Sequence, residues 1–330
     1  MKVHKEAIVF DGTCPLLNEE RSIDWWIQGG VTVAAPTVAG DDDCSAAMAK
    51  IGRWMRIIRD RSQDLMQVRT VDDFVKAKEQ GKMGILFHFQ NTLPLEREVD
   101  LVDVYHALGV RVIQLTYNVK NFVGDGCDER TDAGLSDFGV KIIRAMNKAG
   151  IAVDCSHTGV RTTLDAMDVS ECPVVFSHGN ARAVCDNPRN LTDEQIRKAA
   201  AMGGVIGMNG YPAFVAKKPR PTLDDLVDHV VYMADLVGID HVGIGIDFYS
   251  GQAGVASLEM AQAMYDAALR SGRWKPGTYP PPPYYYPLGL DDPRGFPNMT
   301  ATLLKRGFSE EDTKKVLGQN FMRVYSEIWR

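Results

Sequence analysis

The sequence lacks the features that define several large protein classes. It has no apolar run approaching the roughly 20 residues that a membrane-spanning helix needs. No apolar leader follows the amino-terminal Met-Lys-Val-His-Lys-Glu. Its six cysteines are scattered and form no C-x-x-C pair, which is typical of reduced thiols and not of a disulfide framework. These absences predict a cytoplasmic protein that does not associate with membranes.

An excess of basic residues is also missing. The chain has 37 Lys and Arg against 43 Asp and Glu, a net charge of -6, so nothing indicates binding to nucleic acid. The acidic excess is small and its effect is solubility. With 330 residues, 45% of them hydrophobic and 24% charged, the chain is long and apolar enough to bury a large core.

Short apolar runs rich in Val and Ile recur along the sequence. Near-continuous apolar runs of this length are expected for strands that are buried on both faces. Eight of them are predicted as strands, at residues 7–10, 31–35, 84–89, 111–115, 151–154, 173–176, 204–208 and 242–246.

Amphipathic stretches separate many of these strands. Helices are predicted at residues 99–108, 137–148, 192–202 and 223–237, with a capping box at Thr192-Asp-Glu-Gln195. Alternating strands and helices favour parallel βα units, and eight strands close a barrel. The alternative is an open doubly wound sheet, but its glycine-rich first turn is absent, since strand one leads into Asp11-Gly-Thr-Cys-Pro. The fold prediction is an α/β chain that forms a single (β/α)8 TIM-barrel domain over residues 1–330.

Two segments fall outside the repeat. Residues 37–82 have a mostly helical pattern, and residues 250–300 include the Pro- and Tyr-rich stretch at 278–287. The second segment follows strand eight, which places it on the carboxyl face of a barrel. There it is either a lid over the site or an ordered surface loop or dimer contact. A helix over residues 309–329 closes the chain.

Polar residues follow the predicted strands, at the end where barrels of this kind carry their active sites. Two Ser-His pairs end consecutive apolar runs, in Asp154-Cys-Ser-His157 and Phe176-Ser-His178. Neighbouring strands bring these ends together, and two imidazoles suit a borderline metal such as zinc. His157 and His178 are therefore predicted metal ligands.

Other strand ends supply further candidates. Asp247 ends strand eight, where a carboxylate beside a metal is suited to proton transfer. Strand alternation places His88 and Gln90 on the face that points into the barrel. His88 is then either a third metal ligand or a hydrogen-bonded residue one layer deeper. Asn118 and Asn209 follow strands four and seven and are candidate substrate-binding residues.

The loop at residues 124–130 follows strand four on the same rim. It combines glycines and acidic residues with Cys127 and Arg130. It is interpreted either as a wall of a polar pocket or as an ordinary surface loop, and only Arg130 favours a reactive Cys127 thiolate.

With these motifs, the chain resembles the membrane (renal) dipeptidase family of zinc peptidases, the M19 type. The resemblance covers nearly the whole chain. Its most specific segments are Asp154-Cys-Ser-His157, Pro173-Val-Val-Phe-Ser-His178, Asn187-Pro-Arg-Asn190, Gly203-Gly-Val-Ile-Gly207, Val242-Gly-Ile-Gly-Ile-Asp247, Phe296-Pro-Asn-Met-Thr300, Gly307-Phe-Ser-Glu-Glu311 and Gly318-Gln-Asn-Phe321. The resemblance implies a barrel with two zinc ions that cleaves dipeptides with little side-chain preference, and it implies a homodimer.

Carried over by position, the resemblance assigns His157 and His178 to the second zinc site and Asp247 to the acid/base carboxylate. Arg189 matches the arginine that holds the substrate carboxylate, a role suited to a bidentate guanidinium.

Three positions depart from the family pattern. The His-x-Asp pair of the first zinc site is missing from Asp11-Gly-Thr13-Cys14-Pro15, and strand alternation disfavours Cys14 as a substitute ligand. The bridging glutamate is Gln90, and the strand-four histidine that contacts substrate is Tyr117. A neutral amide does not damp the repulsion between two close cations. We therefore expect one Zn²⁺ per chain, or another divalent ion, held by His157 and His178, with His88 and with the Gln90 oxygen or Asp247 as further candidate ligands.

These residues predict a metal-dependent hydrolase that cleaves an amide-like C–N bond in a small carboxylated substrate, a dipeptide or a similar molecule. Tyr117 is then a candidate donor to developing negative charge. Two alternatives use the same scaffold. One is a metal-dependent lyase or isomerase in which Asp247 removes a carbon-bound proton, and the other is an inactive relative that only binds a small carboxylated ligand.

Overall fold

The computed structural model describes residues 1–329, and within them the chain forms eleven strands and fourteen α-helices joined by short 3-10 turns. The strands are β1 (Phe10–Asp11), β2 (Val33–Ala34), β3 (Thr37–Ala39), β4 (Leu65–Gln67), β5 (Met83–Ile85), β6 (Phe87–Phe89), β7 (Val110–Gln114), β8 (Ala152–Asp154), β9 (Val175–Phe176), β10 (Val205–Met208) and β11 (Val242–Ile244). The helices are α1 (Lys2–Glu6), α2 (Ile23–Gln28), α3 (Cys44–Asp60), α4 (Asp72–Gln80), α5 (Leu101–Ala107), α6 (Asp137–Ala149), α7 (Val160–Val169), α8 (Asp193–Ala201), α9 (Pro212–Val215), α10 (Leu223–Val237), α11 (Leu258–Arg270), α12 (Phe296–Lys305), α13 (Glu310–Lys314) and α14 (Asn320–Ile328).

All the paired strands run parallel and close into a barrel. One sheet has the order β1-β2-β5-β4 and the other β11-β10-β9-β8-β7-β6-β3. The pairs β2/β3 and β5/β6 are each two halves of one barrel strand, so they join the sheets. The last strand returns to the first, because Gly12 donates its N–H to the Ile244 carbonyl at 3.0 Å and Asp247 donates to the Thr13 carbonyl at 3.1 Å. The predicted (β/α)8 barrel is confirmed.

Each of the eight predicted strands overlaps a strand of the barrel, although most of the observed strands are shorter. The segment at residues 37–82 is mostly helical, as predicted, with α3 and α4, and it also contains the short strands β3 and β4. Strand β4 pairs with β5 at the edge of its sheet. Leu65 is buried whereas Met66 and Gln67 are half-buried, so this short edge strand has no continuous apolar run to reveal it.

Helix boundaries follow the predicted caps. Helix α10 has the predicted bounds, and the capping box of Thr192 and Gln195 opens α8. The predicted helix at residues 309–329 is instead α13, a π-helical turn at Lys315–Gln319 and α14. A Cβ on Gly318 would lie 2.5 Å from the Ile8 carbonyl oxygen, so the break falls where the helix crosses close to the backbone before β1.

The two ends of the barrel are covered by different elements. Phe321 and Tyr325 of α14 pack edge-on against Phe10 at the start of β1, with ring centroids 4.9 and 5.9 Å apart. This aromatic cluster fills the amino end of the barrel and leaves the carboxyl end for polar chemistry.

Residues 250–300 cover part of the carboxyl end. Tyr286 donates its hydroxyl proton to the Asp247 carbonyl, and Asn187 donates to the Thr278 carbonyl at 3.1 Å. Tyr279 and Tyr284, which belong to this segment, are buried. The segment therefore packs over the barrel mouth. Among residues 1–329, no helix has the length and apolar composition needed to span a membrane.

Candidate active site at the carboxyl end of the barrel

The two predicted metal-type histidines meet at the carboxyl end of β8 and β9. These strands are neighbours in the sheet, so the residues that follow them emerge side by side. The Nε2 atoms of His157 and His178 are 2.8 Å apart, and both side chains are buried. The pairing inferred from the Ser-His repeat is thus present in the structure.

The hydrogen bonds around His178 determine its tautomer. The Ser177 hydroxyl lies 2.5 Å from Asp154 Oδ2 and donates its one proton to that carboxylate. Ser177 Oγ is also 2.7 Å from His178 Nδ1, and it can only accept there. The proton of the neutral imidazole is therefore on Nδ1, and Nε2 carries a lone pair.

A second network determines the tautomer of His157. The Asn118 side chain donates from Nδ2 to the Arg273 carbonyl at 2.9 Å, which fixes the orientation of its amide. Asn118 Oδ1 then faces His157 Nδ1 at 2.7 Å and accepts its proton. His157 Nε2 also carries a lone pair, directed at that of His178.

Two lone pairs that face each other at 2.8 Å repel unless a cation lies between them. Burial, followed by the positive charge of Arg189, lowers the pKa of both imidazoles well below the ordinary value, so both rings are neutral. Neutral imidazole Nε2 atoms are good ligands for zinc. The donors present thus fit a divalent cation, although the described residues contain no group of three or more His, Cys, Asp or Glu side chains placed to hold one.

Asp247 lies beside the imidazole pair. Its Oδ2 is 3.9 Å from His178 Nε2 and accepts a hydrogen bond from Asn209 Nδ2 at 3.3 Å. Burial raises its pKa to about 7, although Arg189 and the Asn209 hydrogen bond both act in the opposite direction. A carboxyl group with this pKa can exchange a proton near neutral pH.

The backbone at the site is unusual. Within residues 1–329, four non-glycine residues have a left-handed φ, and three of them are Asn118, His157 and Asp247, at 60°, 60° and 62°. Such a conformation costs of order 1 kcal/mol or more and occurs where the surroundings impose it. The strand ends are therefore turned so that Asn118 meets His157 and Asp247 lies beside His178.

His88 occupies the deeper of its two predicted positions. Its Nε2 donates to Asp154 at 3.2 Å, and its Nδ1 is 3.5 Å from Thr13 Oγ1. Burial opposes ionisation of Asp154, but the hydrogen bond and charge of His88 outweigh it and hold the pKa below the usual range. Both nitrogens of His88 are engaged with protein, so it supports Asp154 and, through Ser177, the tautomer of His178.

Gln90 lies closer to the imidazole pair than His88. Its Nε2 is 3.5 Å from His178 Nε2, and its Oε1 accepts from the Thr37 hydroxyl at 2.9 Å. Because a hydroxyl can donate or accept, the amide can also adopt the reversed orientation, with Oε1 beside His178. Gln90 can thus offer a neutral oxygen ligand.

Arg189 is a buried cation next to the site. It is 2% exposed, and its Nη2 donates to the His178 carbonyl at 2.9 Å. Its Nε is buried without a hydrogen-bond partner among the described residues. An unsatisfied donor on a buried guanidinium is costly, so this group is suited to an anionic ligand.

Tyr117 packs directly on the imidazole pair. Its ring stacks on His157 at 4.2 Å with a 22° interplanar angle, and the Arg273 guanidinium lies 4.8 Å from the ring centroid. Burial raises the pKa of Tyr117, so the phenol is protonated and can donate a hydrogen bond. Asn209 donates to Asp247 and accepts from the Tyr211 N–H at 2.6 Å. Asn118 and Asn209 are thus both engaged in orienting other groups of the site.

A cavity of about 880 Å³ opens next to these groups. Its lining includes Gln90, Tyr117 and Asp247 together with residues that the sequence patterns did not single out. These are Asn18, Thr37, Asp41, Asp42, Lys50, Tyr211, Tyr249, Met264, Ala267, Ala268, Arg273 and Trp274. Tyr279 also lines the cavity and is the one member of the aromatic lining that lies in the Pro- and Tyr-rich stretch at 278–287.

The two cysteines near the site are not activated thiols. The Cys14 Sγ donates to the Asp11 carbonyl, and burial raises the pKa of this thiol well above its ordinary value. Burial raises the pKa of Cys127 to about 12. Neither thiol is ionised at neutral pH in the metal-free protein, so neither is an activated nucleophile.

Solved structures of other proteins share the fold of this chain. An amidohydrolase from Pseudomonas aeruginosa is 35% identical and superimposes over 99% of this chain and 98% of its own, with a TM-score of 0.90. The probable dipeptidase PvdM from the same organism is 22% identical over 99% of this chain and 97% of its own, with a TM-score of 0.83, and it shares the fold.

Two fungal proteins named as dipeptidases are similar to this chain in sequence. Dipeptidase tcpJ from Claviceps purpurea is 29% identical over 84% of this chain and 59% of its own length. Dipeptidase verJ from Clonostachys rogersoniana is 30% identical over 86% of this chain and 65% of its own length. The chain spans about 60% of the length of the first of these relatives. The sequence model described as membrane dipeptidase (peptidase family M19) matches residues 27–267 and 283–329. The chain belongs to the membrane dipeptidase family.

Proposed function

We propose that the protein is a metal-dependent hydrolase that holds one divalent cation and cleaves an amide-like C–N bond in a small carboxylated substrate, a dipeptide or a similar molecule. One observation carries the proposal. His157 and His178 are locked in the tautomers that direct two bare Nε2 lone pairs at each other. Only a cation or a proton between them relieves their repulsion.

The residues that would hold the ion are His157 and His178, with Gln90 and Asp247 as the nearest oxygen donors. A zinc ion bound there would lower the pKa of a water molecule or polarise a carbonyl group. A second ion has no ligands, because Thr13, Cys14 and Pro15 occupy the stretch where the family carries its first-site His and Asp. Gln90 also supplies no bridging charge.

Asp247 is the proposed proton carrier. As water attacks the carbonyl carbon, Oδ2 takes one water proton and then delivers it to the amine nitrogen as the C–N bond breaks. Asn209 orients this carboxyl group through its 3.3 Å hydrogen bond.

Arg189 and Tyr117 position the substrate in this proposal. The unsatisfied Nε of Arg189 pairs with the substrate carboxylate and so compensates a buried charge. The protonated Tyr117 hydroxyl donates to the carbonyl oxygen as negative charge develops on it. The stacking of Tyr117 on His157 keeps this donor beside the reacting carbonyl.

Two measurements test the proposal. Elemental analysis of protein purified without chelator should give one divalent metal per chain, and His178→Asn should lose it while the distant control His106→Gln keeps it. Dipeptides turned over in ¹⁸O-enriched water should gain one ¹⁸O in the new carboxylate. Two metals per chain would support a binuclear site. Absence of metal affinity, or turnover without ¹⁸O incorporation, would overturn the hydrolase proposal.

A further inference from the structure

The cavity beside Asp247 has two walls of different chemistry. One is polar and comes from the barrel, with Asn18, Thr37 and Gln90 among its residues. The other is apolar and comes from the segment after strand eight, which contributes Met264, Ala267, Ala268, Trp274 and Tyr279, joined by Tyr211 and Tyr249. We propose that this apolar wall is a specificity subsite for an aromatic or large apolar side chain of the substrate. This inference rests on the proposed function, since it concerns the substrate of the same site.

The wall is built in advance of any ligand. Trp274 stacks on Tyr279 with ring centroids 4.4 Å apart and an interplanar angle of 4°, and Tyr249 packs against the indole at 5.4 Å. The indole Nε1 donates to the Tyr117 hydroxyl at 3.4 Å, which fixes the ring plane. A rigid aromatic surface binds a planar apolar group without a large loss of side-chain entropy.

Helix α11 supplies the rest of the wall. Met264, Ala267 and Ala268 have the i, i+3, i+4 spacing that places side chains on one face of a helix. The two alanines leave space in front of the aromatic rings, and Met264 offers an adaptable apolar side chain. The helix therefore widens the cavity at the position where a large substrate side chain would lie.

The charges around the cavity favour a neutral occupant. Arg273 is paired with Asp41 at 2.7 Å, and Lys50 is paired with Asp42 at 2.7 Å. Both cations of the outer cavity thus have carboxylate partners, and both acids are compensated. A basic or acidic side chain would therefore find no uncompensated opposite charge among these residues, whereas an apolar side chain needs none.

The wall is also directly connected to the catalytic residues. Trp274 contacts Tyr117, and Tyr117 stacks on His157 at 4.2 Å. Tyr117 is therefore the one residue between a substrate side chain bound on the wall and the imidazole of His157. Binding energy gained there can position the scissile bond.

The test measures binding separately from turnover. Protein carrying Asp247→Asn is titrated calorimetrically with Ala-Ala, Phe-Ala, Ala-Phe, Lys-Ala and Glu-Ala. At least one phenylalanine peptide should bind about tenfold or more tightly than Ala-Ala, as burial of a phenyl group predicts. Equal affinities, a preference for the lysine or glutamate peptide, or no measurable binding would overturn the subsite.

A matched pair of variants locates the effect on the wall. Ala268→Trp, made in the Asp247→Asn background, fills the proposed pocket and should reduce the ratio of phenylalanine to alanine affinities toward one. Glu259→Trp, at an exposed first-turn position of the same helix that does not line the cavity, should leave the ratio unchanged. A ratio unaffected by Ala268→Trp would contradict the assignment. Selective binding without hydrolysis by the wild-type protein would keep the subsite and reject the hydrolase, whereas hydrolysis with equal affinities would do the reverse.

Discussion

His157 and His178 direct Nε2 lone pairs at each other across 2.8 Å, and each imidazole is locked by a different part of the fold. His178 is held from inside the barrel, through Ser177 and Asp154. His157 is held from the mouth, through Asn118, whose amide is fixed by the Arg273 carbonyl. The proposed cation site therefore depends on both the barrel core and the segment that covers it.

Removal of the Asn118 amide should weaken metal binding. Asn118→Gly tolerates the left-handed φ of 60° but deletes the acceptor for His157 Nδ1. Loss of such a supporting contact typically weakens metal affinity 10–100-fold. The dissociation constant is measured by competition with a chromophoric chelator. Asn118→Asp keeps an acceptor oxygen and serves as control, so equal weakening in both variants would contradict the tautomer lock.

A carboxylate at position 90 should strengthen the site without adding a second ion. Gln90→Glu places a negative charge where the amide now lies 3.5 Å from His178 Nε2. A unit charge at ~4 Å contributes several kcal/mol in a partly screened site, so affinity should rise at least about tenfold. The stoichiometry should stay at one, because Thr13, Cys14 and Pro15 offer no second set of ligands. Gln90→Met is the uncharged control, and two ions bound to Gln90→Glu would refute this account.

The parts of the fold that depend on local pattern could be predicted from sequence. The two-sided burial of the barrel strands produces apolar runs, and helix α10 has a capping threonine and a terminal glycine that mark its ends. Strand β4 was missed, since an edge strand of three residues leaves no such run. The break near Gly318 was also missed, because it depends on a distant carbonyl at Ile8.

The candidate site could likewise be predicted only where a local sequence pattern exists. Strand ends and the Ser-His repeat predicted the meeting of His157 and His178, and alternation gave the correct face for His88. Alternation does not determine depth along the barrel axis, so the position of His88 beneath the imidazole pair had to come from the structure. The contacts of Trp274 and Arg273 with Tyr117 join segments more than 150 residues apart, with no periodic signal in the sequence.

Arg189 should be essential for substrates with a free carboxylate. Arg189→Met keeps the stem of the side chain but removes the guanidinium. Loss of one partner of a buried charge pair costs about 2 kcal/mol or more, so kcat/KM should fall at least about 30-fold. The same dipeptides with amidated carboxyl termini should be poor substrates for the wild type and little affected by the substitution. An equal loss for both substrate series would indicate a structural role instead. Arg144→Met, at an exposed position of α6, is the control.

Asp11 should make the stability of the protein fall as pH rises. This carboxyl group is fully buried and accepts from Trp26 Nε1 at 2.9 Å and from the Ile246 N–H at 2.8 Å. Burial nevertheless raises its pKa from 3.8 to about 6. The folded state therefore binds the proton more tightly than the unfolded state, and the stabilisation present at low pH is lost as pH rises through the folded pKa. Between pH 4.5 and pH 7 this group alone should lower the free energy of unfolding by about 2 kcal/mol.

Urea unfolding of the wild type and of Asp11→Asn at the two pH values isolates this contribution. The amide does not titrate, so the difference in unfolding free energy, wild type minus variant, should decrease by about 2 kcal/mol from pH 4.5 to pH 7. Any offset from the exchange of one acceptor oxygen for an NH₂ group is common to both pH values and cancels. A difference that stays constant, or that increases with pH, would mean that the hydrogen bonds to Trp26 and Ile246 outweigh burial and that Asp11 is ionised throughout this range.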